Sequence, residues 1–228
     1  MRTGELRLPP AVARGRGQVR AGLRYVWERD DLRIPLLIMT VVGTLAFNFS
    51  VVLPLFVKRS LEGSDGQFTL LFSALSVGSV IGALWSAQRP VVKLRHIVAA
   101  TFGFGAAMLV LAVMPTLLAA FPASVVVGFS SVAFMTTSTT MLQLRADPSM
   151  RGRVLALQAM VFLGSTPIGG PIVGAVCERF GARAGLVVGG VACLAAGVYG
   201  SWAGRRLLRR GVSVGQDVIA TGADLQPA

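Results

Sequence analysis

The chain has 228 residues, 54% of them apolar and only 14% charged, with a formal net charge of +12 and a positive mean hydropathy. That balance excludes an ordinary soluble domain and points to an integral membrane protein. Nor does the basic excess make a nucleic-acid surface, because it lies between apolar runs and at the two ends instead of along one face.

Residues 1–16 are rich in Pro, Gly and Arg and hold no sustained period, so they are predicted to be disordered. No apolar core precedes Ile34, and the first span is expected to act as its own insertion signal in place of a cleavable leader. Residues 17–33, GQVRAGLRYVWERDDLR, put Val19, Leu23, Val26 and Trp27 on one helical face with Arg20, Arg24 and Arg29 mostly elsewhere. This cytoplasmic amphipathic lead-in either lies on an anionic leaflet or is a solvated approach to the first span.

Six apolar segments follow, over Ile34–Val57, Phe68–Gln88, Ile97–Met114, Leu117–Leu142, Val154–Cys177 and Ala184–Gly204. Each is long enough to cross the hydrocarbon core, and none contains Asp, Glu, Lys or Arg. Only Pro115 and Thr116 part the third from the fourth, which predicts a tight antiparallel hairpin. The expected fold is therefore all-α, a polytopic bundle of six transmembrane helices over residues 34–206, with residues 207–228 a flexible cytoplasmic tail.

Of the 22 Lys and Arg residues, 18 fall on one side if the six segments alternate across the bilayer, and only Lys58, Arg59, Arg179 and Arg183 on the other. Such an asymmetry places both termini in the cytoplasm. Gly78 with Gly82, Gly170 with Gly174, Gly185 with Gly189 and Gly200 with Gly204 have the spacing that lets helices approach closely. Cys177 and Cys193 sit at different depths, so both read as small apolar packing residues.

The fifth span carries Pro167-Ile168-Gly169-Gly170-Pro171, which predicts a break or bend in a helix that lines something. Polar residues at membrane depth are the candidates for a substrate path: Asn48, Thr136, Thr140, Gln143, Gln158, Ser165 and Thr166. Burying an amide in hydrocarbon costs several kcal/mol unless it has a partner, so these must face other helices or water. Some hydroxyls in the run Thr136–Thr140 are expected to bond back to their own helix. At the cytoplasmic turns, Arg89, Arg95, Asp147, Arg151 and Arg153 form a candidate gate, in which Asp147 pairs with Arg151 or Arg153 in one conformation and releases them in another.

The chain from about Gly22 to Arg206 resembles the C-terminal half of a major facilitator superfamily transporter, in the bacterial branch that includes the enterobactin exporter and macrolide or drug efflux proteins. The residues that carry this are Gly22-Leu23-Arg24-Tyr25-Val26-Trp27, Leu53-Pro54-Leu55, Asp147-Pro148-Ser149-Met150-Arg151-Gly152-Arg153-Val154, and Gly164 with the proline and glycine run after it. The turn after Gly82 departs from the family pattern: Gln88-Arg89-Pro90 and Lys93-Leu94-Arg95 lack the usual acidic residue. The resemblance implies export of siderophore-like or drug-like small molecules across the bacterial cytoplasmic membrane by alternating access, with a second six-helix half or self-association as partner.

The alternative is a non-catalytic membrane subunit or an inactive transporter fragment. An enzyme is not expected: Gly128-Phe129-Ser130 would need a histidine base at its own depth, whereas the single histidine, His96, stands at a helix entrance. No catalytic residue, metal ligand set or cofactor is assigned.

Overall fold

The computed structural model describes residues 18–88 and 92–209. The expectations for residues 1–17, for Arg89 and for the tail beyond Arg209 lie outside the described residues. A lead-in helix α1 (Gln18–Glu28) is followed by the first span, made of α2 (Asp30–Leu45), α3 (Phe49–Leu55) and a π-helical turn (Phe56–Ser60). The other five spans are α4 (Asp65–Ala87), α5 (Leu94–Val113), α6 (Leu117–Arg145), α7 (Arg151–Phe180) and α8 (Ala182–Arg209). All six are long and apolar enough to cross a membrane, and no strand occurs among the described residues.

Local chemistry sets the ends. Ser64 and Gln67 cap α4 reciprocally: Gln67 N–H donates to Ser64 Oγ (3.4 Å) and Ser64 N–H to Gln67 Oε1 (2.8 Å). Asp30 and Asp31 occupy the first turn of α2, where the exposed N–H groups favour negative charge. Thr116 caps α6 by accepting from Ala119 N–H, so the α5–α6 hairpin turns in Met114–Thr116. Inside α6, Thr137 Oγ1 donates back to the Ala133 carbonyl at 2.6 Å, and Ser130 Oγ to Val126 at 2.6 Å. Ser130 is thus tied to its own helix.

Of the break or bend expected at Pro167–Pro171, no break occurs. Helix α7 runs through Pro167 and Pro171 without interruption, although each proline leaves the carbonyl four residues earlier without its usual donor. The first span is interrupted instead, at Ala46–Asn48. There the Asn48 side-chain Nδ2 donates to the Thr44 carbonyl at 2.7 Å, supplanting the backbone donor that would have continued the helix.

Glycine notches bring the spans together. A Cβ at Gly78 or Gly128 would run into the backbone carbonyl of Val125 or Leu75, which locks α4 onto α6. Gly105 and Gly190 do the same for α5 and α8, each lying 2.9–3.0 Å from the other's carbonyl by that measure. Gly170 and Gly174, expected to pack alike, meet only atoms 3.9–4.0 Å away. The core is centred on Phe104, Phe134, Met39, Met108 and Leu111, all fully or almost fully buried. Coverage is uneven: α4 and α7 bury 22% of their apolar windows, where the other spans bury 44–50%.

Candidate functional site

Along α7, one polar and aromatic seam gathers several of the predicted path residues. Gln158 is 6% exposed and donates through Nε2 to Thr139 Oγ1 of α6 at 2.6 Å, while its Oε1 has no partner. The pair lines a groove of about 360 Å³ whose other walls are Met135, Leu155, Ala159, Phe162 and Leu163. One turn further along, Phe162 meets Phe47 edge-on with ring centroids 5.0 Å apart, and Phe47 in turn touches Phe49, Phe104 and Phe134. Beyond the rings lies Asn48, 2% exposed, whose Oδ1 is also unpaired.

The helix break and α7 fit each other. A Cβ at Gly169 would strike the Thr44 carbonyl and approach Asn48 Nδ2 to 3.1 Å, so glycine is what admits the interrupted backbone. Ser165, 5% exposed, faces Gly43 and donates to its own Phe162 carbonyl at 2.8 Å. An unpaired buried acceptor costs about 1–3 kcal/mol, and this seam keeps two of them among apolar walls. Such a surface can take a donor from a weakly polar molecule or from water.

The remaining path candidates are not drawn together. Thr136 and Thr140 are half-buried, and Gln143 and Thr166 are exposed; none of the four lines the groove. Thr139, between two named threonines, is the one that bonds Gln158. Its signal was the 3.6-residue period, which puts Thr139 on the same face as Met135.

At the cytoplasmic turn between α6 and α7, Asp147 is held by the lead-in helix and not by Arg151 or Arg153. Tyr25 Oη donates to Asp147 Oδ2 at 2.8 Å and accepts from the Asp147 backbone N–H at 3.1 Å. Arg29 Nη1 donates to Tyr25 Oη at 2.8 Å and reaches both Asp147 oxygens at 3.2 Å. Led by the Tyr25 hydrogen bond, with Arg29 adding its charge, these contacts hold the Asp147 carboxyl below its ordinary range. Arg153 instead lies 3.2 Å from Met150 Sδ, and Arg151 is exposed.

The pairing was missed because Tyr25 and Asp147 are 122 positions apart, although the four-residue spacing brings Arg29, just past the end of α1, beside Tyr25. Arg95 is exposed beside His96, whose Nδ1 accepts from Lys93 N–H at 3.2 Å, so the histidine helps to close the start of α5.

Residues 11–206 match the family described as transmembrane secretion effector. The chain is also 26% identical over 166 residues to the "Multidrug efflux pump Tap" of Mycolicibacterium fortuitum, an alignment that covers 72% of this chain. It spans 40% of that protein's length. With the match running from before the lead-in helix to the end of the sixth span, the chain is an integral membrane protein that belongs to the transmembrane secretion effector family of the major facilitator superfamily.

Proposed function

We propose that the chain is the C-terminal six-helix half of an exporter in the bacterial cytoplasmic membrane, with both termini in the cytoplasm, working by alternating access with a second six-helix unit. The observation that carries this is the seam on the sparsely covered α7, where Gln158 Oε1 and Asn48 Oδ1 stay unpaired beside a groove and a cluster of rings. The family match and the partial coverage of an efflux pump support the same reading. The cargo is a small, largely apolar molecule with hydrogen-bond donors, a class that includes drug-like amphiphiles and siderophore-like compounds. Arg89, Arg95, Asp147, Arg151 and Arg153 act as the cytoplasmic gate, with Tyr25 and Arg29 holding Asp147 in the state described.

The test is export of a fluorescent, donor-bearing amphiphile from cells that hold the chain together with its partner half. Gln158→Leu and Asn48→Leu are each expected to slow export at least about fivefold, the loss of one hydrogen bond of about 1 kcal/mol to the cargo. Undiminished export by both variants at equal expression would refute the seam as a cargo path.

A further inference from the structure

The lead-in helix divides into three arcs. One is packed: Val26 is fully buried, a Cβ at Gly22 would come within 3.1 Å of Leu157 and 3.4 Å of Arg153 on α7, and Tyr25, joined by Arg29 just past the helix, grips Asp147. A second is polar: Arg20, Arg24 and Glu28 are exposed, and Arg24 pairs with Glu28 at 2.8 Å. Between them runs a third, Val19, Leu23 and Trp27, spaced by four residues and exposed by 51%, 46% and 57%. A helix held between protein and water needs no such apolar arc.

Its place in the fold says what covers it. One extended residue, Arg29, separates α1 from the first span, so the arc lies where that span enters the bilayer. Arg20 borders the arc on its polar flank, and a tryptophan at its end suits the headgroup level. We propose that α1 is a two-sided strut: Val19, Leu23 and Trp27 take an anionic lipid surface with Arg20 and Arg24 against its phosphates, while Tyr25 and Arg29 carry the α6–α7 turn. The position of the turn is thereby set from the leaflet. Docking on lipid does not rest on the export reading, since it concerns only where α1 lies.

The full chain is placed in nanodiscs of phosphatidylcholine with a quarter phosphatidylglycerol, and a nitroxide is attached at Leu23→Cys or, on the far side of the helix, at Ala21→Cys. Cys177 and Cys193 are retained, being 1% and 0% exposed. Oxygen dissolved in lipid is expected to relax the label at 23 while an aqueous nickel chelate does not, the oxygen-to-nickel ratio exceeding that at 21 by about fivefold or more. Free access of nickel to both positions, as for a solvated helix, overturns the proposal, and so does shielding of position 23 from both reagents, as under a protein segment.

Should the labelled variants not assemble, quenching by bromolipid of the unmodified chain is compared with that of Trp27→Phe. Equal quenching overturns it. Omitting phosphatidylglycerol is expected to loosen a label at Ser149→Cys in the turn, and identical mobility in both lipids overturns the coupling.

Discussion

The α4–α6 seam and the α7 seam are both made with glycine, yet they constrain the molecule differently. Between α4 and α6, Gly78, Gly82 and Gly128 each press a backbone against a backbone, so neither helix can slide or turn without a clash. Along α7 only Gly169 is so clamped, whereas nothing lies within 4 Å of a Cβ at Gly152 or Gly164. The first seam fixes two spans as one body. The second has one pivot, at the Thr44 carbonyl beside the break in the first span, and side-chain contacts along the rest, which is the construction that lets a helix tilt against its neighbours.

The contrast is broken most severely by Gly128→Leu. Forcing a side chain into the Leu75 carbonyl should part α4 from α6 and cost about 3 kcal/mol, seen as a lower midpoint of thermal unfolding in detergent or as failure to accumulate. Gly169→Ala is expected to cost less, about 1–2 kcal/mol, because it adds a single methyl where Gly128→Leu adds a whole side chain, although that methyl too meets a backbone carbonyl and α7 has to move off Thr44 to admit it. Export should fall more than stability does, and a midpoint drop as large as that of Gly128→Leu would mean that the two seams are equivalent. Gly164→Ala, with open space around it, should stay within about 0.5 kcal/mol of the unmodified chain.

How much of this was legible in the sequence follows the same division. The spans could be read because hydropathy over 20 residues responds to lipid alone, and each of the six helices contains most or all of its predicted segment. The α4–α6 seam was half legible: Gly78 and Gly82 announce themselves by spacing, but Gly128 has no such partner and is recognised only by the carbonyl it faces. The interruption of the first span was not legible because Asn48 breaks its helix through a side-chain bond to Thr44 that competes with the backbone, a weaker local signal than Pro167 and Pro171, through which α7 runs on. Partners of buried or turn polar groups, such as Thr139 for Gln158 and Tyr25 for Asp147, depend on helix rotation and docking, which periodicity within one segment does not carry.

The smallest expected effect concerns what could release the α6–α7 turn. Because the folded-state pKa of Asp147 lies below its ordinary value of about 3.9, the stabilising contacts of its carboxylate are fully present above that value and are lost only as the pH falls through the depressed one. Tyr25 remains a donor throughout, since partial burial raises the pKa of its phenol. Tyr25→Phe removes the leading cause of the depression, so the Asp147 midpoint, followed by carboxyl carbon resonance, should move up towards the ordinary value while the fold persists. An unmoved midpoint would assign the depression to Arg29 alone. Either way the carboxylate stays charged near neutrality, so protonation of Asp147 does not open the turn there. If the turn works as the proposed gate, its release would therefore come from movement of α1 or of α7, the helix with the single glycine pivot.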